Sequence, residues 1–344
     1  MPEQQQTREN QRKAARWVHV LVLSAVGLVL AAALLGLFYQ RVAVSRERRL
    51  YRMPGILIDL GGYRMHINCT GRGSPAVVLD SGLGDSFNSW RKVQAPISAF
   101  TQVCSYDRAG LGYSDSSPLP RTSNVIAEEL QRLLVKSRVP PPYVLVGHSF
   151  GGFNVRLYAS QNPSSVVGMV LVDSAHPDQL NRFPPAVKKM WADQIRGAEF
   201  FELEVPFGIP RLRQVCGSDP LEVALYCTFH SARAWVAEFK AFRESGVQTR
   251  ATGPFVDLPL VILSHDPEKL LPELPADAGK VFNKLWEEMQ EELTHLSTHG
   301  VQKIAKDSSH YIQLDRPDLV IEGVRNVVDE ARRSSSSNKD DREH

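Results

Sequence analysis

The residues best suited to chemistry are grouped around Ser149, at a corner between an apolar run and a helical segment. The run 143–146 predicts a buried strand that breaks at Gly147, and helical spacing resumes at Phe150. A serine at such a corner takes a strained backbone conformation, and its glycine neighbours let strand and helix approach closely. The hydroxyl is then exposed at the amino end of a helix, where free N–H groups favour negative charge on an attacked carbonyl oxygen. We therefore interpret Ser149 as a nucleophile rather than as a helix-capping serine.

A serine nucleophile needs a general base, and His310 is the candidate. It follows the last predicted strand in a loop that can carry an imidazole over the carboxyl edge of a sheet, where ligands bind in open α/β sheets. Four other histidines are interpreted as surface or helix-capping residues: His66, His230, His295 and His299.

The elements that must position these residues form an alternating pattern from Gly55 onward. Strands are predicted at 56–60, 63–69, 75–80, 102–106, 143–146, 166–173, 258–264 and 301–305. Helices are predicted at 86–100, from Thr122, from Phe150, and at 278–296 and 317–332. Continuous apolar strands that alternate with helices indicate a mostly parallel sheet with helices on both faces. Residues 176–254 interrupt the pattern with Pro, aromatic and charged helical pieces.

From Gly55 to Arg332 the chain resembles the α/β-hydrolase family. The resemblance is carried by Gly147-His-Ser-Phe-Gly-Gly152, by Tyr106-Asp-Arg-Ala-Gly-Leu-Gly-Tyr-Ser114, and by Ser309-His310, in the family's order of nucleophile, acid and histidine. It implies an eight-stranded, mostly parallel sheet with a helical lid inserted after the sixth strand, which is where 176–254 falls. It implies no cofactor.

The resemblance places the acid of the triad after the seventh strand, where two carboxylates occur. Asp266 is nearer the strand end, and its position before Pro267 holds it extended, so we expect it to be the acid. Glu268 fits the usual family spacing and stays the alternative. Asp173, at the end of the sixth strand, is a third candidate.

The resemblance also implies an oxyanion hole made by two backbone N–H groups. These are the N–H of Phe150 and that of Leu83, in the loop after the third strand. The family often has His-Gly before this position, whereas this chain has Ser81-Gly82, but the donor is a backbone group and is not lost. Asp107 and Arg108 are expected to brace loops near the site.

The type of nucleophile limits which reactions of the family this chain could catalyse. Family members that open epoxides or displace halide use an aspartate at this corner, so Ser149 favours acyl transfer to water and a small-molecule ester substrate. A proline-type aminopeptidase, an acyltransferase and a non-catalytic binding protein of the same fold stay open. Aromatic residues of the inserted segment either line an acyl pocket or form the lid's own core: Phe200, Phe201, Phe207, Phe229, Trp235, Phe239 and Phe242.

Composition and the amino end indicate where the protein works. A 344-residue chain with a net charge of +2 suits one large α/β domain and does not suggest nucleic-acid binding. Residues 17–39 carry no formal charge, and roughly 23 residues can cross a hydrocarbon core of about 30 Å. No small-residue cleavage site follows, so we predict a single-pass membrane anchor. Basic residues lie on both sides of 17–39 and leave its orientation open. Residues 1–16 and 333–344 are expected to be disordered tails, and 40–54 a linker.

The four cysteines indicate the cellular compartment of the domain. An even number suits an oxidising environment and hence an extracytoplasmic domain, although four free thiols in a cytosolic protein is the alternative. By the family resemblance the second and fourth strands are neighbours, which would place Cys69 beside Cys104, and Cys216 and Cys227 could link the lid. None of the four has the spacing of a zinc site.

Overall fold

The computed structural model describes residues 2–217, 219–269 and 271–340, so Met1 and 341–344 of the expected tails lie outside the described residues. Two compact units divide the chain. The anchor unit consists of the described residues up to Arg52 together with Leu203–Thr228. The sheet unit consists of Met53–Glu202 and the described residues from Phe229 onward.

The sheet unit is organised around one eight-stranded sheet with the order β1-β2-β4-β3-β5-β6-β7-β8. Strands β1 and β2 are antiparallel to each other, β2 is antiparallel to β4, and all other neighbours are parallel. This confirms the expected α/β-hydrolase architecture. The strands are β1 Ile56–Asp59, β2 Arg64–Thr70, β3 Ala76–Asp80, β4 Val103–Tyr106, β5 Tyr143–His148, β6 Val166–Val172, β7 Leu260–His265 and β8 Gly300–Ala305.

The central strands read as continuous apolar runs because both of their faces are covered. All residues of β3 and β5 are buried. Successive side chains alternate between two cores: Val78 and Leu145 belong to one, and Val77 and Val144 belong to the other. Burial on both sides leaves no polar face, which is the pattern of a parallel sheet between helical layers.

Helices cover the sheet and form the insertion. The α-helices are α1 Pro2–Leu50, α2 Gln94–Ser98, α3 Ser123–Lys136, α4 Gly151–Gln161, α5 Gln179–Arg182, α6 Pro185–Glu204, α7 Ile209–Leu212, α8 Pro220–Tyr226, α9 Phe229–Arg250, α10 Ala276–Thr294, α11 Ile312–Asp315 and α12 Pro317–Asp340. Five of them, α5 to α9, lie between β6 and β7, so the helical insertion after the sixth strand is present as expected.

Both chain ends differ from the expectation of disordered tails. Helix α1 begins at Pro2 and continues through most of the expected linker to Leu50, and α12 continues to Asp340. Glu, Gln, Arg, Lys and Ala are good helix formers, so polar residues next to an apolar helix extend it at little cost. Within α1, Ala15–Leu50 is long and apolar enough to cross a membrane.

Two disulfides join the four cysteines. Cys69 and Cys104 are directly opposite each other in the register of β2 and β4, and they are bonded as the resemblance implied. Cys216 and Cys227 are bonded within the anchor unit, in the segment that belongs to the insertion.

Candidate active site

Ser149 lies at a sharp corner between β5 and α4. Its φ is 51°, in the left-handed region that a residue with a side chain rarely adopts, and its N–H donates to the carbonyl of Val172 at 3.1 Å. A Cβ on Gly147 would lie 2.7 Å from the carbonyl oxygen of Gly151, and one on Gly151 would overlap the carbonyl of Asp80. The neighbouring glycines are therefore required for the close approach of β5, α4 and β3 that holds the strained serine.

His310 lies after β8 and is held by a carboxylate. Its Nδ1 lies 2.6 Å from Oδ2 of Asp173, which follows directly after β6. Asp173 has a φ of 42° and is fully buried, whereas about a third of the His310 side chain is exposed. Since a carboxylate can only accept, Nδ1 of His310 carries the proton of this hydrogen bond and Nε2 is left as the free ring nitrogen.

Two further groups donate to Asp173. His265 approaches it with both its backbone N–H, at 3.0 Å, and its Nδ1, at 2.9 Å, and the indole Nε1 of Trp286 donates at 2.9 Å. Burial by itself would raise the pKa of Asp173, but the charges and hydrogen bonds of His265 and His310 outweigh it and hold this pKa far below its usual range. Burial lowers and Asp173 raises the pKa of His265, and the net shift is upward. Asp173 therefore stays ionised.

The structure places Asp266, the residue expected to be the acid, away from His310. The carboxylate of Asp266 accepts the N–H groups of Glu268, at 3.0 Å, and of Asp307, at 2.9 Å, and lies 3.6 Å from the ammonium of Lys306. The backbone N–H of Asp307 is the main cause that lowers the pKa of Asp266. Asp266 therefore caps a loop and is not the hydrogen-bond partner of His310.

Glu268, the alternative acid, points into solvent with 85% of its side chain exposed. The third candidate, Asp173, occupies the place beside His310. The error had a physical cause: Asp173 and Asp266 both follow a parallel strand at the same edge of the sheet, and the backbone N–H groups around Asp266 already use its oxygens.

A cavity of about 750 Å³ contains the two predicted site residues Ser149 and His310 on its wall, together with Asp173 and Leu83. Seven aromatic residues of the inserted segment were expected either to line a pocket or to form the lid's own core. Of these, Trp235, Phe239 and Phe242 line this cavity, whereas Phe200 and Phe229 are exposed. The Phe, Trp and Tyr residues of its wall are Phe183, Trp191, Trp235, Phe239, Phe242, Phe282, Trp286 and Tyr311.

The two expected oxyanion donors are near the cavity that Ser149 lines. Leu83 lines the same cavity, and Phe150 follows Ser149 in the chain with its side chain fully buried. Among the described residues, neither backbone N–H donates to another protein atom. A Cβ on Gly82 would lie 2.8 Å from Nδ1 of His148, so the loop before Leu83 passes close to the corner. Two N–H groups without a protein acceptor can bind an anionic oxygen.

A buried ion network supports this loop. Arg108 donates to Asp80 at 2.8 Å, to the carbonyl of Gly82 at 2.6 Å, and to Glu238 of α9 at 2.6 Å. Glu238 also accepts the N–H of Gly84 at 2.8 Å. Asp80, Arg108 and Glu238 are each at most 1% exposed. The bracing role expected for Arg108 is thus seen in its contacts, and Asp107 similarly accepts backbone N–H groups from two loops.

Two polar groups of the cavity wall have an atom without a protein partner. The Nε2 of His148 lies 3.0 Å from the carbonyl of His310, so it is the protonated nitrogen and Nδ1 can only accept. In the described part of the chain, that Nδ1 and Oδ2 of Asp85, which is 4.0 Å away, have no hydrogen-bond partner. Burial lowers the pKa of His148 to about 3 and raises that of Asp85 to about 6.

Three residues of the site were not identified from the sequence: His265, Trp286 and Glu238. His265 ends β7 at the same sheet edge as Asp173, and its place at a strand end was the available signal. Trp286 and Glu238 lie within long helices, α10 and α9, where neither spacing nor residue type distinguishes them from ordinary helix residues.

Comparisons with known proteins identify the fold. A family model described as alpha/beta hydrolase fold matches residues 75–253, which is just over half of the chain. YqjL of Bacillus subtilis is 37% identical over 108 residues, covering 31% of this chain and 43% of YqjL. A vacuolar membrane protein of Saccharomyces cerevisiae is 29% identical over 136 residues, covering 34% of this chain and 21% of that protein.

Among solved structures, a thermophilic esterase from Thermogutta terrifontis superposes with a TM-score of 0.57 at 19% identity, covering 80% of this chain and 98% of the esterase. These matches cover less than half of the length of the two curated relatives. The fold, the strained serine corner and the matched family model lead to one conclusion: the chain belongs to the α/β-hydrolase family.

Proposed function

We propose that this protein is a serine hydrolase that cleaves an ester or a related acyl bond through an acyl-enzyme on Ser149. The observation that carries the proposal is the cavity that both Ser149 and His310 line, with Nδ1 of His310 hydrogen-bonded to the buried carboxylate of Asp173 at 2.6 Å. The combination provides a nucleophile, a base with a free Nε2, and an ionised group that orients the base.

In the first half of the reaction, Nε2 of His310 takes the hydroxyl proton while Oγ of Ser149 bonds to the carbonyl carbon. The carbonyl oxygen becomes an oxyanion that the N–H groups of Leu83 and Phe150 stabilise. When the oxyanion collapses, the bond to the leaving alcohol breaks, and the alcohol departs with the proton from His310. Water repeats the sequence on the acyl-enzyme, which releases the acid and restores the serine.

Asp173 supports the protonated state of His310 during both halves. Its low pKa keeps it as a carboxylate, so it interacts more strongly with the imidazolium than with the neutral ring. The same bond holds the proton on Nδ1 and thereby keeps Nε2 available to Ser149.

The walls of the cavity favour an apolar substrate. A volume of about 750 Å³ lies within the range of pockets that enclose drug-sized ligands. Two apolar groups of side chains flank it: Phe183, Phe282 and Trp286 in one, and Trp191, Trp235 and Phe239 in the other. We therefore propose esters with a bulky, uncharged aromatic or branched group, and expect their kcat/KM to exceed that of the acetyl ester by about tenfold or more.

We also propose that residues 17–39 anchor the protein in a lipid bilayer. Residues 15–32 of α1 are exposed throughout, and a contiguous apolar helix surface of this length is not stable in water. The two disulfides support an extracytoplasmic position of the sheet unit, because such bonds persist in oxidising compartments.

The test is covalent labelling of the full-length protein in detergent by a fluorophosphonate, together with hydrolysis of aryl esters. Wild type is expected to react with the probe and to turn over the esters, and Ser149→Ala is expected to do neither. Ser116→Ala, a change at an exposed loop serine, serves as the matched control and should behave as wild type. Labelling of Ser149→Ala at the wild-type rate would contradict the proposal, and a folded wild type that neither labels nor hydrolyses would indicate a binding protein.

A further inference from the structure

One face of α1 is covered, and the covered face begins inside the apolar stretch 17–39. Residues 15–32 are exposed, but from Ala33 onward shielded positions recur every three or four residues, at Ala33, Gly36, Leu37 and Gln40, and they continue to Glu47. This spacing defines a single stripe along the helix. The chain that covers it is the segment Leu203–Thr228, which shares the anchor unit with α1.

The contacts along this stripe are close and specific. A Cβ on Gly36 would lie 2.6 Å from the carbonyl oxygen of Phe207, so only glycine lets the segment approach at this level. The amide of Gln40 donates to the carbonyl of Cys227 at 2.7 Å, and Arg211 pairs with Glu47. The position of Gly36 along α1 therefore fixes the position of the turn at Phe207 along the same helix.

The length of α1 then places the turn Val205–Phe207 relative to a bilayer. The fully exposed apolar residues 17–32 extend only about 24 Å at 1.5 Å per residue, which is less than a hydrocarbon core of about 30 Å. Residues from Ala33 to about Gly36 are needed to complete the crossing. Since the segment touches Gly36, it must lie where the hydrocarbon core meets the headgroups.

The segment has a surface suited to that position. Leu203, Leu212 and Val215 are 67%, 67% and 60% exposed. The charged side chains between Leu203 and Gly217 are all in ion pairs, Arg213 with Glu204 and Arg211 with Glu47, so no unpaired charge opposes contact with lipid.

We propose that Leu203–Thr228 is a membrane-docking element, with Leu203, Leu212 and Val215 inserted among the lipids at the bilayer surface. Interfacial elements bury apolar side chains roughly 5–10 Å into the boundary between headgroups and acyl chains. The occupant of this surface is the lipid bilayer rather than a second copy of the chain, because the stripe that sets its depth belongs to the membrane-spanning part of α1. The inference depends on the anchor proposed above.

The experiment uses the full-length protein in proteoliposomes with a single added cysteine, since the four native cysteines are in disulfides. Leu212→Cys and Val215→Cys are labelled with an environment-sensitive NBD fluorophore and exposed to lipids with a doxyl quencher near the headgroup. Val29→Cys reports on the anchor, and Val135→Cys, which is 70% exposed on α3, is the matched control in the sheet unit. Fluorophosphonate labelling of each variant shows that its active site is intact.

At positions 212 and 215 we expect doxyl lipid to reduce emission severalfold, with no change at position 135. Quenching at position 29 without quenching at 212 and 215 would overturn the docking proposal and leave the anchor intact. Absence of quenching at all three positions would overturn the anchor and the docking together, while probe labelling of Ser149 would be unaffected. A blue-shifted emission at 212 that lipid does not quench would indicate a protein partner and would also overturn it.

Discussion

At the scale of single residues, the site depends on how one buried carboxylate is kept charged. Asp173 is fully buried, and an isolated buried carboxylate would take up a proton. Two imidazoles and an indole direct N–H groups at its two oxygens, at distances between 2.6 and 3.0 Å. In the proposed mechanism His265 and Trp286 are therefore positioning residues, because they would act on His310 through the carboxylate that they share.

Exchanging the two candidate acids for amides distinguishes their roles. Asp173→Asn is expected to lower kcat by about 10⁴-fold, since an amide can hold the wrong tautomer of His310 and does not stabilise the imidazolium. Asp266→Asn should keep nearly full activity, because one amide oxygen can still accept a loop N–H. Steady-state hydrolysis of an aryl ester by the two purified variants is the measurement. If Asp266→Asn is inactive and Asp173→Asn is active, the acid is Asp266, after the seventh strand, and not Asp173.

The sequence could single out Ser149 and His310 as candidates, and the structure places both on one cavity, because their sequence patterns are local. The strained corner is encoded by adjacent glycines, and the histidine follows the last strand of an ordered pattern. The choice between Asp173 and Asp266 is not local, since it depends on which of two strand-end carboxylates is already occupied by backbone N–H groups. Only the folded loop around Asp307 decides this.

At the scale of elements, the loop after β3 and helix α9 of the lid are joined by buried charge. Glu238 binds Arg108 through both of its oxygens and takes the N–H of Gly84 as well. Gly84 itself packs against Trp235, one turn earlier on α9, where a side chain would not fit. The loop that presents Leu83 therefore depends on the lid for its conformation.

Removing this charge should destabilise the protein and slow the reaction. Glu238→Gln removes one of the two buried carboxylates that pair with the Arg108 guanidinium. Breaking a buried ion pair in this way typically lowers the free energy of unfolding by about 3–5 kcal/mol. The matched control is Glu199→Gln. It removes the exposed ion pair between Glu199 of α6 and Lys240 of α9, and this loss should cost about 0–1 kcal/mol. Urea unfolding of the full-length variants in detergent measures both. Equal losses in the two variants would show that the buried network does not stabilise the lid contact.

Sequence patterns predicted the sheet better than the helices around it. Strands such as β5 are buried on both faces, so the apolar run that predicts the strand extends along most of its length. The segment 86–100, expected as one helix, instead forms the 3-10 turn Phe87–Trp90 and the short α2. Pro96 lies in α2 and lacks the N–H that a longer helix would need, so packing against the sheet decides the local geometry.

At the scale of the whole molecule, the inserted segment is divided between the two compact units. Helices α6 and α9 contribute to the cavity wall of the sheet unit, whereas Leu203–Thr228 is part of the anchor unit. Helix α1 is thus more than the proposed membrane anchor, because its covered stripe is the packing surface for part of the inserted segment. Sequence alone could predict the apolar span from composition, but the stripe that begins at Ala33 is visible only in the folded chain.

Two truncations separate the proposed bilayer-spanning role of α1 from its packing role. A chain that begins at Ala33 keeps the contacts of Gly36, Gln40 and Glu47, whereas a chain that begins at Met53 loses all of them. In the Met53 chain the segment loses the ion pair of Arg211 with Glu47 and the hydrogen bond of Gln40 to the carbonyl of Cys227, and the side chains that α1 covers become exposed to solvent. We therefore expect hydrogen exchange in 203–217 to be at least roughly a hundredfold faster in the Met53 chain than in the Ala33 chain, with both in the same detergent. Equal protection would mean that the segment folds without the helix, and that α1 only holds the protein in the membrane.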